Sequence, residues 1–286
     1  MPGELYLFAG RAEGDFAAGR VLASSEGKPL RVGRASWPCA CDWDGDGDLD
    51  LVAGNMWGKL FLVRNGGKGA LDFADPVPLV SAGTTIEIEE TNAAPCVADW
   101  DQDGASDLVL GTGDGTVLFY RNTRSAAGRG EPELAAPIEL LPHSPDGDAA
   151  LRLAHPGQRA RVAVCDWNAD GRLDLVVGEH AAEDGPPVQR TKAQERELEA
   201  AIKEGLALAE RRGELERTAF ARWLGAKGIP PAQSKEHYDD FLLEWLATPE
   251  AHSVTDRQAE LTALQRKLNP ALIEHGRLWV FLRQGK

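Results

Sequence analysis

The stretch "CDWDGDGDLDLVAG", Cys41 to Gly54, returns as "ADWDQDGASDLVLG" from Ala98 and "CDWNADGRLDLVVG" from Cys165. Three copies in one register restrict the chain to an architecture of stacked, similar units. The surroundings repeat with the motif. Gly54 to Gly58 and Gly111 to Gly115 have the same spacing, and each pair leads into an alternating apolar run, "GKLFLVRN" and "GTVLFYRN". Relatives of that run occur at "GELYLFAG" from Gly3 and "GRLWVFLR" from Gly276. A further element carries apolar residues six apart: Phe16 and Leu22, Phe73 and Leu79, Leu134 and Leu140.

Each unit thus reads as four short strands: one before the acidic loop, one after it, the "GxLxφ" run, and a variable outer strand. Strands recurring in register with glycine turns point to radial repetition, the blades of a β-propeller, over a sandwich. The expected class is mainly β, with about three to three and a half blades, open or partial. The 286 residues are 43% hydrophobic, enough to bury a core. Acids outnumber bases 45 to 31 and no basic cluster appears, which argues against a nucleic-acid partner. No run approaches 18 apolar residues, so membrane insertion is not expected, and "MPGELYLFAG" has neither region of a signal peptide.

The acidic loop has the form D-x-D-x-D-G-x-x-D. Carboxylates at positions 1, 3, 5 and 9 converge only if the loop curls tightly, which glycine at position 6 permits. Four converging carboxylates repel, and a hard cation with flexible oxygen coordination, calcium, resolves the repulsion. Calcium loops commonly use a backbone carbonyl at position 7, and the residue there varies freely: Asp48, Ala105 and Arg172. An EF-hand is excluded, because its position-12 glutamate is replaced by Ala53, Leu110 and Val177.

On these residues the chain resembles the FG-GAP or VCBS repeat family, whose blades build propellers such as the integrin α-subunit head. The resemblance covers residues 3 to 178 and 276 to 283. It implies up to three calcium ions. The ligands would be Asp42, Asp44, Asp46 and Asp50; Asp99, Asp101, Asp103 and Asp107; and Asp166, Asn168, Asp170 and Asp174. Asp48, Ala105 and Arg172 would add carbonyls. It also implies a secreted or extracytoplasmic setting.

Trp43, Trp100 and Trp167 occupy position 2 of every loop and are expected to pack on a neighbouring blade. Cys39, Cys41, Cys96 and Cys165 precede the loops on the innermost strands and read as small buried thiols. Their spacing makes neither a disulfide framework nor a zinc site.

Between Gly178 and Gly276 the third unit carries 94 residues more than the others. The division expected is blades over 1–178, a helical insertion over 179–275 and a returning strand over 276–286. The insertion opens with a capping box at Thr191 and Gln194 and an apolar stripe of Leu198, Ile202, Leu206 and Ala209. A second helix, behind a Ser234 cap, aligns Tyr238, Phe241, Leu242 and Trp245. A third, from a box at Thr255 and Gln258, aligns Leu261, Leu264 and Leu268, and Gly228, Pro230 and Pro231 separate helices. The stripes are expected to pack on one another. At the base, Glu179 and His180 mirror Glu274 and His275; a polar stem is the plain reading, a transition-metal or acid–base site the alternative.

These features favour a binding or scaffolding module with a protein or carbohydrate ligand. The alternative is a polysaccharide-active enzyme, or a lectin stacking sugar on Trp37 and Trp57; no HExxH, GxSxG or phosphate loop supports catalysis. The end segments "GELYLFAG" and "GRLWVFLR" are both third strands. Complementary halves would not duplicate one, so the expectation is either further blades of a longer protein or identical chains completing a ring.

Overall fold

The computed structural model describes residues 3–283 except 13, 68–70, 90, 125–129, 144–156, 185–187, 232–233, 235–236 and 269–271, and the backbone alone at 181–184, 239 and 272–275. The chain divides into two compact units, Met1–Ala181 with Gly276–Lys286, and Ala182–His275.

The first unit is an open set of antiparallel sheets. Strands β1 (Tyr6–Leu7) and β2 (Arg20–Val21) pair as a small ribbon. Strands β3 (Trp37–Cys41), β4 (Asp50–Gly54), β5 (Leu60–Val63) and β6 (Val77–Pro78) form a four-stranded sheet in chain order. After a short hairpin of β7 (Val80–Ser81) and β8 (Thr84–Thr85), the same sheet recurs. Its strands are β9 (Ala94–Ala98), β10 (Asp107–Gly111), β11 (Val117–Tyr120) and β12 (Ile138–Leu141). A third sheet joins β13 (Gln158–Cys165), β14 (Asp174–Asp184) and β15 (Leu272–Phe281). These are propeller blades. The registers repeat: Cys41 faces Asp50, Ala98 faces Asp107 and Cys165 faces Asp174. The "GxLxφ" runs are the third strands, as their alternation predicts.

Alternate side chains go to opposite neighbours, so the two four-stranded blades are buried on both faces. Trp43, Leu60 and Leu62 pack with Leu108, Leu110 and Tyr120 of the next sheet. Trp100, Val117 and Phe119 pack with Leu175, Val177 and the half-buried Phe281. Leu5, Leu22 and Val32 pack with Ala53, Val63 and Phe73. The glycines closing the second strands permit this approach. A Cβ on Gly54 would meet the Ala93 carbonyl oxygen at 2.0 Å, and one on Gly111 the Ala160 oxygen at 2.4 Å.

The third blade departs in three ways. Trp167 is 59% exposed where Trp43 is 3% exposed, so the expectation of a packed ring fails there. Cys165 is exposed, whereas Cys39, Cys41 and Cys96 are half-buried; all four are free. The β14–β15 hairpin does not turn at Gly178 but continues to Asp184 and resumes at Leu272, so the strands outrun the sequence-derived boundary.

The second unit is helical. Helix α1 (Lys192–Lys227) begins at the Thr191–Gln194 capping box and ends at Gly228 in the left-handed region. Helix α2 (Tyr238–Leu246) buries Phe241, Leu242 and Trp245 against Phe220 and Trp223, with the Phe241 ring 4.8 Å from that of Phe220. Its cap is His237, with no side-chain bond, not Ser234. Helix α3 (Pro249–Leu268) starts earlier than its apolar pattern suggests. Thr248 Oγ1 accepts from Ala251 N, and Pro249 suits the first turn, so Thr255 lies inside the helix and donates to the Ala251 carbonyl. Leu261 and Leu268 are buried as expected. The α1 stripe is not: Ile202 and Leu206 are exposed, and the small Ala201 and Gly205 are buried instead. Gln265 of α3 donates to the Ala201 carbonyl, an approach that a leucine side chain would block.

Candidate metal centres

Each acidic loop leaves the first strand of a blade and returns at the start of the second. Position 6 needs a left-handed glycine, and Gly47, Gly104 and Gly171 have φ of 99°, 91° and 84°. Position 4 is left-handed too, an unanticipated demand: Gly45 meets it freely, while Gln102 and Ala169 are held at 61° and 58°. The side chains at positions 1, 3 and 5 turn inward onto loop amides. Asp42 accepts from Gly45 and Gly47, Asp44 from Asp46, and Asp46 from Asp48. The second loop repeats this with Asp99 on Gly104, Asp101 on Asp103 and Asp103 on Ala105. In the third, Asp166 accepts from Gly171, Asn168 from Asp170, and Asp170 from Arg172.

Position 9 has a role that the spacing does not disclose. Asp50, Asp107 and Asp174 are 1%, 0% and 0% exposed. One oxygen of each accepts from the amide of the position-2 tryptophan, at 3.0 Å in all three loops. The other accepts from the amide just past the third strand: Asn65 at 2.8 Å, Asn122 at 2.7 Å and Arg283 at 2.7 Å. The carboxylate is a clasp between loop and sheet. Burial pushes the Asp50 and Asp107 carboxyls above the ordinary value, against the pull of these amides. The signal was present in the paired "RN" of "GKLFLVRN" and "GTVLFYRN". Asn65 Oδ1 accepts from Asp72 N and Asn122 Oδ1 from Glu133 N, so each asparagine also fixes the connection to the outer strand.

Two loops draw their carboxylates together. In Asp42, Asp44 and Asp50, and in Asp99, Asp101 and Asp107, one oxygen per residue lies within 4.8 Å of the others. Asp99 Oδ1 and Asp48 Oδ2 are buried with no hydrogen-bond partner. Three carboxylates this close, with such orphaned oxygens, suit a hard cation. Asp46 and Asp103 lie outside these trios. Arg121 supplies part of the counter-charge in the second loop, 2.6 Å from Asp101 and 3.0 Å from Asp103. In the third loop Asp166, Asp170 and Asp174 are not gathered this way. The Arg172 backbone amide holds the Asp170 carboxyl below its ordinary value, and its guanidinium lies 2.7 Å away. The position-7 residues differ in burial as well as type, since Ala105 is buried while Asp48 and Arg172 are half-buried.

The stem is a polar joint where it is described. Glu179 is buried, accepts from the Gly157 amide and faces Arg277. The side chains of Glu274 and His275 lie outside the described residues. Trp37 already carries a guanidinium, Arg161, 3.8 Å from its ring centroid. No described helix is long and apolar enough to cross a membrane.

Residues 42–110 and 99–177 match the FG-GAP-like repeat. No curated protein matches the chain. Among solved structures, the crystal structure of BBS1N in complex with ARL6DN, soaked with lead, is similar at 17% identity and a TM-score of 0.29. The likeness covers 62% of this chain and 44% of that one, so this chain spans less than half the length of that protein. The two family matches overlap by one acidic loop and together run from the first aspartate of the first blade to the second strand of the third. By these matches the chain is similar, over residues 42–177, to the FG-GAP-like repeat.

Proposed function

We propose that the chain is a calcium-braced binding or scaffolding module with a protein or glycan ligand, working in an extracytoplasmic setting. The observation that carries the metal is the carboxylate trio in each of the first two loops, with Asp99 Oδ1 buried and unpartnered. Asp42, Asp44 and Asp50 would hold one ion, and Asp99, Asp101 and Asp107 a second. The third loop would bind more weakly, because Asn168 stands where the other two loops have the position-3 carboxylate of the trio. A bound divalent cation offsets most of the charge of the trio and ties the loop to the clasp, which stiffens one end of the first two blades. Extracellular calcium modules have weak affinities matched to the high calcium outside cells, and loops this exposed suit that range.

Thermal unfolding in calcium and in EDTA tests the reading. A ligand at 100 times its Kd stabilises by about 2.7 kcal/mol per site. Two sites should therefore raise the Tm of the β unit by roughly 10 °C or more. The double variant Asp44→Ala with Asp101→Ala should lose most of that rise. Identical melting curves with and without calcium would remove the metal from the reading.

A further inference from the structure

The exposed apolar residues of the β1–β2 ribbon and of the last blade occupy the positions that elsewhere in the chain form the contacts between successive blades, made three times. Along each third strand, alternate residues pack forward or back. Leu60 and Leu62 of β5 pack forward with the next blade, while Val63 and Phe61 pack back. Val117 and Phe119 of β11 pack forward, while Tyr120 and Leu118 pack back. In β15, Trp279 and Phe281 keep the backward role. Leu278 and Val280, at the forward positions, are 69% and 37% exposed, on the same face as exposed Trp167.

The first sheet is the converse case. Leu5 and Leu7 pack forward. Tyr6 and Phe8, at the backward positions, are 51% and 57% exposed. Phe16, which bridges Gly10 as Phe73 bridges Asn65 and Leu134 bridges Asn122, is 66% exposed where those two are buried. Among the described residues, the last blade therefore shows an uncovered forward face, and the first sheet shows the backward face that covers its equivalents elsewhere. Large apolar side chains concentrated on two faces mark interaction surfaces, and the Glu4 carboxylate at the edge of the Tyr6 face is already held by the Tyr6 hydroxyl and Arg31.

We propose that the Trp167, Leu278 and Val280 face docks the Tyr6, Phe8 and Phe16 face of a second copy of this chain, head to tail, and that two copies close reciprocally. The contact continues an interface the chain already builds between its own blades, so no new kind of packing is needed. The described residues of each copy make four blade positions, counting the β1–β2 ribbon, and two copies together supply about eight, within the range of closed propellers. A face that binds a different face can close or propagate, and only closure leaves no apolar face in water.

The test is the mass of the full chain in calcium, by light scattering and sedimentation across a concentration series, for the parent and for Leu278→Glu and Phe8→Glu. Both substitutions lie at exposed positions, and unchanged circular dichroism confirms that each variant is folded. The parent should have twice the chain mass. Each variant alone should be a monomer, its dissociation constant raised at least about 100-fold by a carboxylate in an apolar contact. Mixing the two variants should restore a 1:1 pair at higher concentration, since one intact junction remains where the parent has two. A monomeric parent, a dimer indifferent to both substitutions, an open series of larger assemblies, or variants that do not pair on mixing would overturn the proposal.

Discussion

Replacing Asp107 with alanine separates the clasp from the metal. Asp107 is fully buried and accepts from Trp100 N at 3.0 Å, Asn122 N at 2.7 Å and, more weakly, Asp101 N at 3.4 Å. Hydrogen bonds to a charged acceptor contribute about 1.5–3 kcal/mol each, so the two short bonds amount to roughly 3–6 kcal/mol. The variant also escapes the desolvation that holds this carboxyl above its ordinary value, which returns part of the loss. A net loss of about 2–4 kcal/mol remains. The measurement is peptide-resolved amide exchange in EDTA, where cation binding contributes nothing and each blade is read separately. Exchange of β10 and β11 should accelerate by about 30- to 1,000-fold. Asp101→Ala is the control: it loses only the exposed Asp103 amide bond and a surface ion pair with Arg121, which contributes about 0–1 kcal/mol, so without metal it should change the rates little. If Asp107→Ala exchanges within about threefold of the parent in EDTA, the carboxylate serves the metal alone and the clasp argument is wrong.

Gly111→Ala should destabilise the contact between the second and third blades by about 1–3 kcal/mol, because its Cβ would sit 2.4 Å from the Ala160 carbonyl oxygen. Gly178→Ala, whose Cβ meets nothing nearer than 3.9 Å, should be close to neutral, and denaturant midpoints of the pair check the contrast. Ala169→Gly should stabilise the third loop by about 0.5–1 kcal/mol, since the residue is left-handed at φ 58°; a drop in Tm would show that the loop holds that conformation without strain.

The blades were legible because their information is local and repeated. Strict alternation in "GKLFLVRN" and "GTVLFYRN" sets which residues face which neighbour, and three copies of the loop fix the register without any long-range contact. The α1 capping box was legible for the same reason, since its partners lie three residues apart. Where a choice depended on something distant in sequence, the pattern misled. Thr255 has the sequence of a cap, but Thr248 and Pro249 start α3 earlier. Leu206 has the spacing of a core residue, but α1 and α3 approach through Ala201 and Gly205, because small residues let backbones come closer than leucines do.

The acidic loops show the division most clearly. By itself the sequence determined that each acidic loop would turn its carboxylates inward onto its own amides, since glycine at position 6 and alternate acidic or amide residues dictate a tight turn. Tertiary structure alone decided what each carboxylate does. Asp50, Asp107 and Asp174 are spent first on amides beyond the third strand, and Arg172 turns the third loop onto its own Asp170. Trp43, Trp100 and Trp167 are identical in their motifs, yet two are core and one lies on the surface. Burial belongs to the neighbour and not to the residue: a tryptophan is covered only where a following blade stands against it.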